Sequence, residues 1–287
     1  MFKNTLMAGA LAAAMNMSGA VLAADAEPAS PISYNVGIVS DYLFRGVSQT
    51  HGNPAIQGGI DYLHSSGFYL GAWASSITWV KDWLGSGSFE IDVYGGYKNS
   101  FRGGDWNYDI GAIAYIYPGK GDAIPTFLAN PNTQEVYAAL GYKFVTVKYS
   151  HAISKHFIGW YGGPNLDQGT QGSGYLELNA NYDLGDGWGL IGHIGKQKVK
   201  GSVATGGVSS ADYTDWKLGV SKDIGFGVLT LAYSDTNTSG TCPSGGLGSN
   251  AYCWGDNGGQ GTPRTGPTAG FKDVSKGTVL LTFLKSF

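Results

Sequence analysis

The stretch "FEIDVYGGYK" (89–98) sets Phe89, Ile91, Val93, Gly95 and Tyr97 on one parity and Glu90, Asp92, Tyr94, Gly96 and Lys98 on the other. A period of two defines a strand with one apolar and one polar face, and a helix cannot satisfy it. The pattern recurs. "NYDIGAIAYIY" opposes Ile110, Ala112 and Ala114 to Asn107, Asp109 and Gly111, and "YLELNANYD" opposes Leu176, Leu178 and Ala180 to Glu177, Asn179 and Asn181. Twelve such segments start near Ser33, Pro54, Phe68, Ser88, Asn107, Gln134, Val145, Tyr175, Trp188, Tyr213, Phe226 and Lys276. Connections after odd-numbered segments are long and rich in Gly, Pro, Ser or Asn, as at 118–133, 155–173, 199–212 and 236–275. Those after even-numbered segments are mostly short, as at 64–67, 184–187 and 223–225.

An even number of segments of about ten residues, with long loops at one end and short turns at the other, predicts an all-β fold. It is an antiparallel transmembrane β-barrel with short periplasmic turns and long extracellular loops. Closure is a physical requirement there, because an open edge would leave unpaired amide groups in lipid. Composition agrees. Gly supplies 47 of 287 residues, against a usual ~7%, and 18 Tyr, 12 Phe and 8 Trp accompany it. Gly disfavours helices and aromatic residues favour pleated surfaces.

The first residues stand apart from this pattern. Lys3, an apolar stretch from Leu6 and small residues at Val21 and Ala23 read as a cleavable signal peptide over 1–23. A short N-terminal periplasmic segment (24–32) then leads into a barrel over 33–287. Loss of Lys3 leaves 17 basic against 21 acidic residues, a balance that gives no footing for nucleic acid. No later stretch approaches the roughly 20 apolar residues of a spanning helix. Cys242 and Cys253, close together in an exported chain, are expected to form a disulfide within loop 236–275, worth about 2–3 kcal/mol of local constraint.

Aromatic residues on the apolar parity concentrate at strand ends. Tyr34, Tyr62, Phe68, Tyr97, Tyr108, Tyr142, Tyr182 and Trp188 fall toward the short turns, and Tyr42, Phe44, Phe89 and Tyr233 toward the long loops. Two aromatic belts are what the two interfaces of a bilayer select. The last segment, "KGTVLLTFLKSF", alternates up to Phe287, and a terminal aromatic of this kind resembles the sorting signal of bacterial outer-membrane barrels. The expected partners are therefore outer-membrane lipid and, during biogenesis, the barrel-assembly machinery.

No nucleophile elbow, metalloprotease motif or phosphate-binding loop occurs, so no enzyme chemistry, metal or cofactor is expected. Ser150 and His151 are adjacent in a strand and point to opposite faces, which weakens the one serine–histidine pair that could suggest a lipid-modifying enzyme. The polar parity is more informative. It carries Asp41, Arg45, Asp61, Glu90, Asp92, Asp109, Glu135, Lys148, Glu177, Asp215 and Lys217. Inward charges of both signs suit the wall of a water-filled passage for small hydrophilic solutes or ions, the acidic excess favouring cations. The other outcome is an inner salt-bridge network that fills the barrel.

Three runs carry a family resemblance: "SDYLFRGVSQT" (40–50), "PAIQGG" (54–59) and "SGFYLG" (66–71). With the acidic alternating strand from Phe89 and the final Phe, they resemble the TorF family of exported proteobacterial porins, most strongly over 33–100. The resemblance implies a barrel of porin type in a Gram-negative outer membrane. It supplies no substrate. The cysteine-bearing loop 236–275 departs from the pattern as an elaboration of this chain.

Overall fold

The computed structural model describes residues 30–84, 87–119, 129–162, 168–201, 210–242, 250–256 and 270–287. The proposed signal peptide (1–23) and most of segment 24–32 lie outside the described residues. The chain begins with β1 (Ile32–Val39), followed by a small hairpin of β2 (Leu43–Phe44) and β3 (Val47–Ser48). Strands β4 (Ala55–Leu63) and β5 (Phe68–Ser76) lead to a short helix, α1 (Trp79–Leu84). Next come β6 (Phe89–Phe101), β7 (Trp106–Ile116), β8 (Thr133–Tyr142) and β9 (Val145–Ala152). They are followed by β10 (Gly174–Gly185), β11 (Trp188–Lys198), β12 (Tyr213–Asp223) and β13 (Val228–Thr236). A second hairpin, β14 (Cys253–Asp256) and β15 (Gly270–Asp273), precedes β16 (Thr278–Ser286).

Twelve of these strands form one closed antiparallel ring, and the two hairpins remain separate two-stranded sheets. The expected segment starts agree with the observed barrel strands to within two residues. The seam joins β1 to β16 from Asn35↔Ser286 to Val39↔Thr282. It is completed by Tyr34 and Phe287, which exchange backbone hydrogen bonds of 3.2 and 2.9 Å. Short turns sit where the alternation predicts them. Between β10 and β11, Asp186 and Gly187 take successive positive φ angles (52° and 75°), the reversal whose twist matches that of the strands it joins.

Burial is inverted relative to a water-soluble protein. Leu70, Leu218 and Val279 are 59, 61 and 62% exposed on the outside, while Glu90, Asp92 and Glu135 are wholly buried inside. An apolar exterior around a polar interior is the arrangement a bilayer imposes on a barrel. The short-turn aromatic belt is present, with ring contacts such as Phe68–Tyr97 (5.0 Å), Trp106–Tyr142 (4.8 Å) and Phe144–Tyr182 (5.1 Å). At the other rim Phe89 and Tyr233 face outward as expected.

Tyr42 and Phe44 do not. The chain leaves the wall at Ser40, whose N–H donates to the Leu281 carbonyl (2.9 Å), and folds into the lumen as the β2–β3 hairpin. Arg45 (φ 51°) and Gly46 (φ 81°) form its two-residue reversal. Tyr42 is thus buried inside, and the Phe44 ring meets Tyr115 edge-on at 5.4 Å. Asp41 and Arg45 are interior as expected, but they belong to this inserted hairpin and not to the barrel wall.

Candidate functional site

The hairpin is held by side chains. Asp41 accepts hydrogen bonds from the hydroxyls of Ser48 (2.6 Å) and Thr50 (2.9 Å), which closes the base of the loop on itself. Burial raises the Asp41 carboxyl above the ordinary carboxylate range, and the two hydroxyls pull it part of the way back. Backbone bonds run from the Ser48 N–H to the Val274 carbonyl (2.8 Å) and from the Thr78 N–H to the Gln49 carbonyl (3.0 Å). Both partners lie in long loops, so β2 and β3 share no ladder with the wall.

At the tip, Arg45 crosses to three strands. Its guanidinium donates to both oxygens of Glu135 on β8 (3.1 and 2.6 Å) and to Oε1 of Gln197 on β11 (2.8 Å). Its carbon lies 4.3 Å from the centre of the Tyr175 ring on β10. Glu135 also accepts from the Tyr115 hydroxyl (3.1 Å). A planar two-pronged pair of this kind is strong where water is excluded, and its geometry selects Arg over Lys.

The other inward positions form a tyrosine–carboxylate lattice around this buckle. Tyr42 donates to Glu90 (2.8 Å), Tyr94 to Asp61 (2.5 Å) and Tyr69 to Asp109 (2.6 Å), while Tyr69 and Tyr137 share a further hydrogen bond. Lys148 lies 3.8 Å from Glu177 and over the Tyr137 ring. Asp215 accepts from Tyr175 (2.8 Å) and lies 2.8 Å from His193 Nε2. Lys217 lines the same wall two residues further along β12. Every expected inward residue therefore lies on the inner face or in the inserted hairpin, and most are joined into a few clusters. Glu90 and Asp92 stand out, because Oε2 of Glu90 and both oxygens of Asp92 are buried without a hydrogen-bond partner.

Sequence reasoning left out the tyrosines, His193, Gln197 and Lys98 as site residues. Their signal was available in parity: Leu190 and Ile194 face lipid, so His193 and Gln197, an odd number of positions away, face the lumen. Ser150 is buried inward, whereas His151 lies beside Tyr149, which is on the outer face (3.3 Å between Tyr149 Oη and His151 Nδ1). The two do not form a catalytic pair.

Above the hairpin, aromatic side chains from the long loops close the mouth. Trp79 of α1 lies 5.9 Å from Trp254 and 5.0 Å from Tyr117. Tyr252 packs on Tyr213 (5.0 Å) and donates to the Ala211 carbonyl (2.6 Å). The Cys242–Cys253 disulfide anchors this part of loop 236–275. Below the hairpin, toward the short turns, a cavity of about 90 Å³ remains. Its lining includes Tyr42, Gly46, His193, Lys217, Thr230 and Leu280. Among the described residues no group of three or more His, Cys, Asp or Glu is placed to hold a metal.

Fold and lining together define a transmembrane β-barrel with a polar, internally occluded lumen. Residues 23–250 match the family described as "Bacterial protein of unknown function (Gcw_chp)", and the chain belongs to that family. Comparison with curated proteins found no match. Among solved structures, a KdgM porin is similar at 8% identity with a TM-score of 0.48, covering 89% of this chain and 98% of that one. A NanC porin gives 9% identity and a TM-score of 0.48 over the same shares. Pseudomonas aeruginosa OccK1 (OpdK) gives 10% and 0.39, covering 91% of this chain and 67% of its own. The fold assignment rests on the closed ladder itself.

Proposed function

We propose that the protein is an outer-membrane channel for passive diffusion of small hydrophilic solutes or ions, of the TorF type, with the β2–β3 hairpin as its constriction. The observation that carries this reading is that the hairpin is a separate sheet inside the ring, which shares no ladder with the wall and meets it through side chains such as Arg45. An element attached in this way can shift or leave without breaking a barrel ladder. Behind it lies a lumen lined by charges of both signs, where acids outnumber bases, so cations pass more readily than anions. No chemistry or energy source is involved.

In this reading residues 1–23 direct export and are removed, the short turns face the periplasm, and the strand ending in Phe287 is presented to the barrel-assembly machinery. A second reading, a closed barrel with a structural or surface-binding role, is favoured by the complete burial of Glu90, Asp92 and Glu135 at the level of the hairpin. Planar-bilayer recordings separate the two. The channel reading expects ion conductance that rises when residues 41–50 are replaced by a short Gly-Ser linker, with a cation-selective reversal potential. Silence from both proteins across a range of salts would sink the channel reading and favour the closed barrel.

A further inference from the structure

At the long-loop end of β11, Lys196 and Lys198 point outward, Lys200 follows two residues later, and all three are exposed. No ion pair among the described residues involves them. Strand register brings further groups to the same patch. Gly174 of β10 lies opposite Lys198 on one side and His151 of β9 on the other. The missing side chain at Gly174 leaves a notch occupied by the Tyr149 hydroxyl, which a Cβ there would meet at 2.5 Å. A Cβ on Gly172 would lie 3.6 Å from Lys200 Nζ and 3.8 Å from His151 Cε1, so the ammonium and the imidazole flank one point.

Lys155 is also exposed beside the patch, its carbonyl accepting the N–H groups of Thr170 and Gln171. Asp212, just before β12, turns Oδ1 to the Val199 N–H (2.8 Å). Leu176 of β10, the register partner of Lys196, and Ile194, two residues before Lys196 on β11, are 52 and 51% exposed. Cations therefore stand on top of an apolar ledge. Among the described residues, the outward strand-end positions Ser76, Phe89, Gln134 and Thr214 of this rim are uncharged, while Asp212 and Asp235 are acidic.

We propose that this sector of β9–β11 binds the phosphate groups of a phosphorylated glycolipid in the outer leaflet. The proposal rests on the long loops facing the cell exterior and does not depend on conductance. Lys196 and Lys198 are two residues apart on β11, roughly 7 Å at about 3.3 Å per residue, and Lys200 lies beyond the strand's end beside His151. A headgroup with more than one phosphate can meet the two strand lysines and Lys200 at once, where a single phosphate meets fewer of them. The ammonium groups and Tyr149 hydroxyl meet the headgroup, while Leu176 and Ile194 support the acyl chains.

The test is the binding of a bisphosphorylated lipid A to the purified, folded barrel in uncharged detergent, read by native mass spectrometry. A Lys196→Gln/Lys198→Gln/Lys200→Gln variant is expected to bind at least about tenfold more weakly, since each Lys near an anionic surface contributes a comparable fraction of that attraction. The matched variant Lys143→Gln/Lys222→Gln/Lys285→Gln, at the short-turn rim, is expected to bind as wild type does. Dephosphorylated lipid A and phosphatidylglycerol should both bind weakly, and millimolar inorganic phosphate should not compete. Undiminished binding by the first variant, equal binding of either control lipid, or competition by free phosphate would overturn the proposal. Heat-modifiable electrophoretic mobility verifies folding. Should the triple variant fail that check, Lys198→Gln alone is read, with a weaker but measurable loss expected.

Discussion

Arg45 and Glu135 are 90 positions apart in sequence and meet inside the barrel in a two-pronged ion pair, both nearly inaccessible to solvent. Arg45 is in the hairpin's reversal, and neither β2 nor β3 pairs with β8, which carries Glu135. The contact therefore fastens the hairpin to the wall and adds nothing to the ring's own ladder. Removing one partner strands the other charge in a dry interior, at a cost of about 3–5 kcal/mol. Arg45→Ala is expected to lower the urea midpoint of the folded barrel and to raise its conductance in bilayers. Arg45→Ala/Glu135→Gln should recover part of the stability but none of the closure. A double variant as unstable as the single one would show that the pair is not the fastening.

Gly46 is required at the hairpin tip for two reasons that can be separated. Its φ of 81° is strained for any residue with a Cβ, and that Cβ would lie 2.7 Å from Cβ of Asp215. Asp215 cannot move aside freely, since Tyr175 and His193 both hold it at 2.8 Å. Gly225 has a similar φ of 88° but open space around it. Gly225→Ala should lose only about 1 kcal/mol, the backbone share. Gly46→Ala should lose more and should also raise conductance; equal effects at the two sites would refute the steric part.

The wall of this protein was legible in its sequence because lipid and lumen impose opposite demands on alternate residues. Each strand repeats that demand often enough to fix its parity, and Glu90, Asp92, Glu135 and Asp215 follow from it directly. The hairpin was not legible for the same reason. "SDYLFRGVSQT" alternates as a wall strand does, and its polar members face the lumen whether the run continues the wall or folds inside it. Only the conformation at Arg45 and Gly46 distinguishes the two, and Arg-Gly lacks the Asn or Asp that usually announces such a turn. The partners of Arg45 were illegible too, because closure brings β8, β10 and β11 toward the hairpin through contacts that no local pattern encodes.

Asp92 is the least comfortable group in the lumen. Both of its oxygens are buried without a hydrogen-bond partner, beside Glu90 on the same face of β6. Replacing an unpartnered buried carboxyl by an amide of the same shape, which never has to be brought in as an ion, should stabilise the fold, by about 1–3 kcal/mol. Asp215 is the opposite case, a carboxylate satisfied by Tyr175 and His193. Asp92→Asn is expected to raise the temperature at which the heat-modifiable band is lost, and Asp215→Asn to lower it. Shifts of the same sign would mean that burial alone, and not satisfaction, decides the effect.

The disulfide acts on the mouth and not on the barrel. Cys253 opens β14, and the next residue, Trp254, packs against Trp79 of α1, so the bond to Cys242 holds the aromatic lid in register. With a sequence separation of 11, it closes a small loop, and its loss should cost about 2–3 kcal/mol in local order. That energy is confined to loop 236–275, because the twelve-stranded ladder excludes β14 and β15. Reduction, or Cys242→Ser/Cys253→Ser, is therefore expected to accelerate proteolysis within 236–275 while leaving heat-modifiable mobility unchanged. If the mobility falls as well, the lid is coupled to the wall through the Trp79–Tyr117 contact and the two do not open independently. An unchanged cleavage rate would instead show that the aromatic contacts alone keep the lid closed.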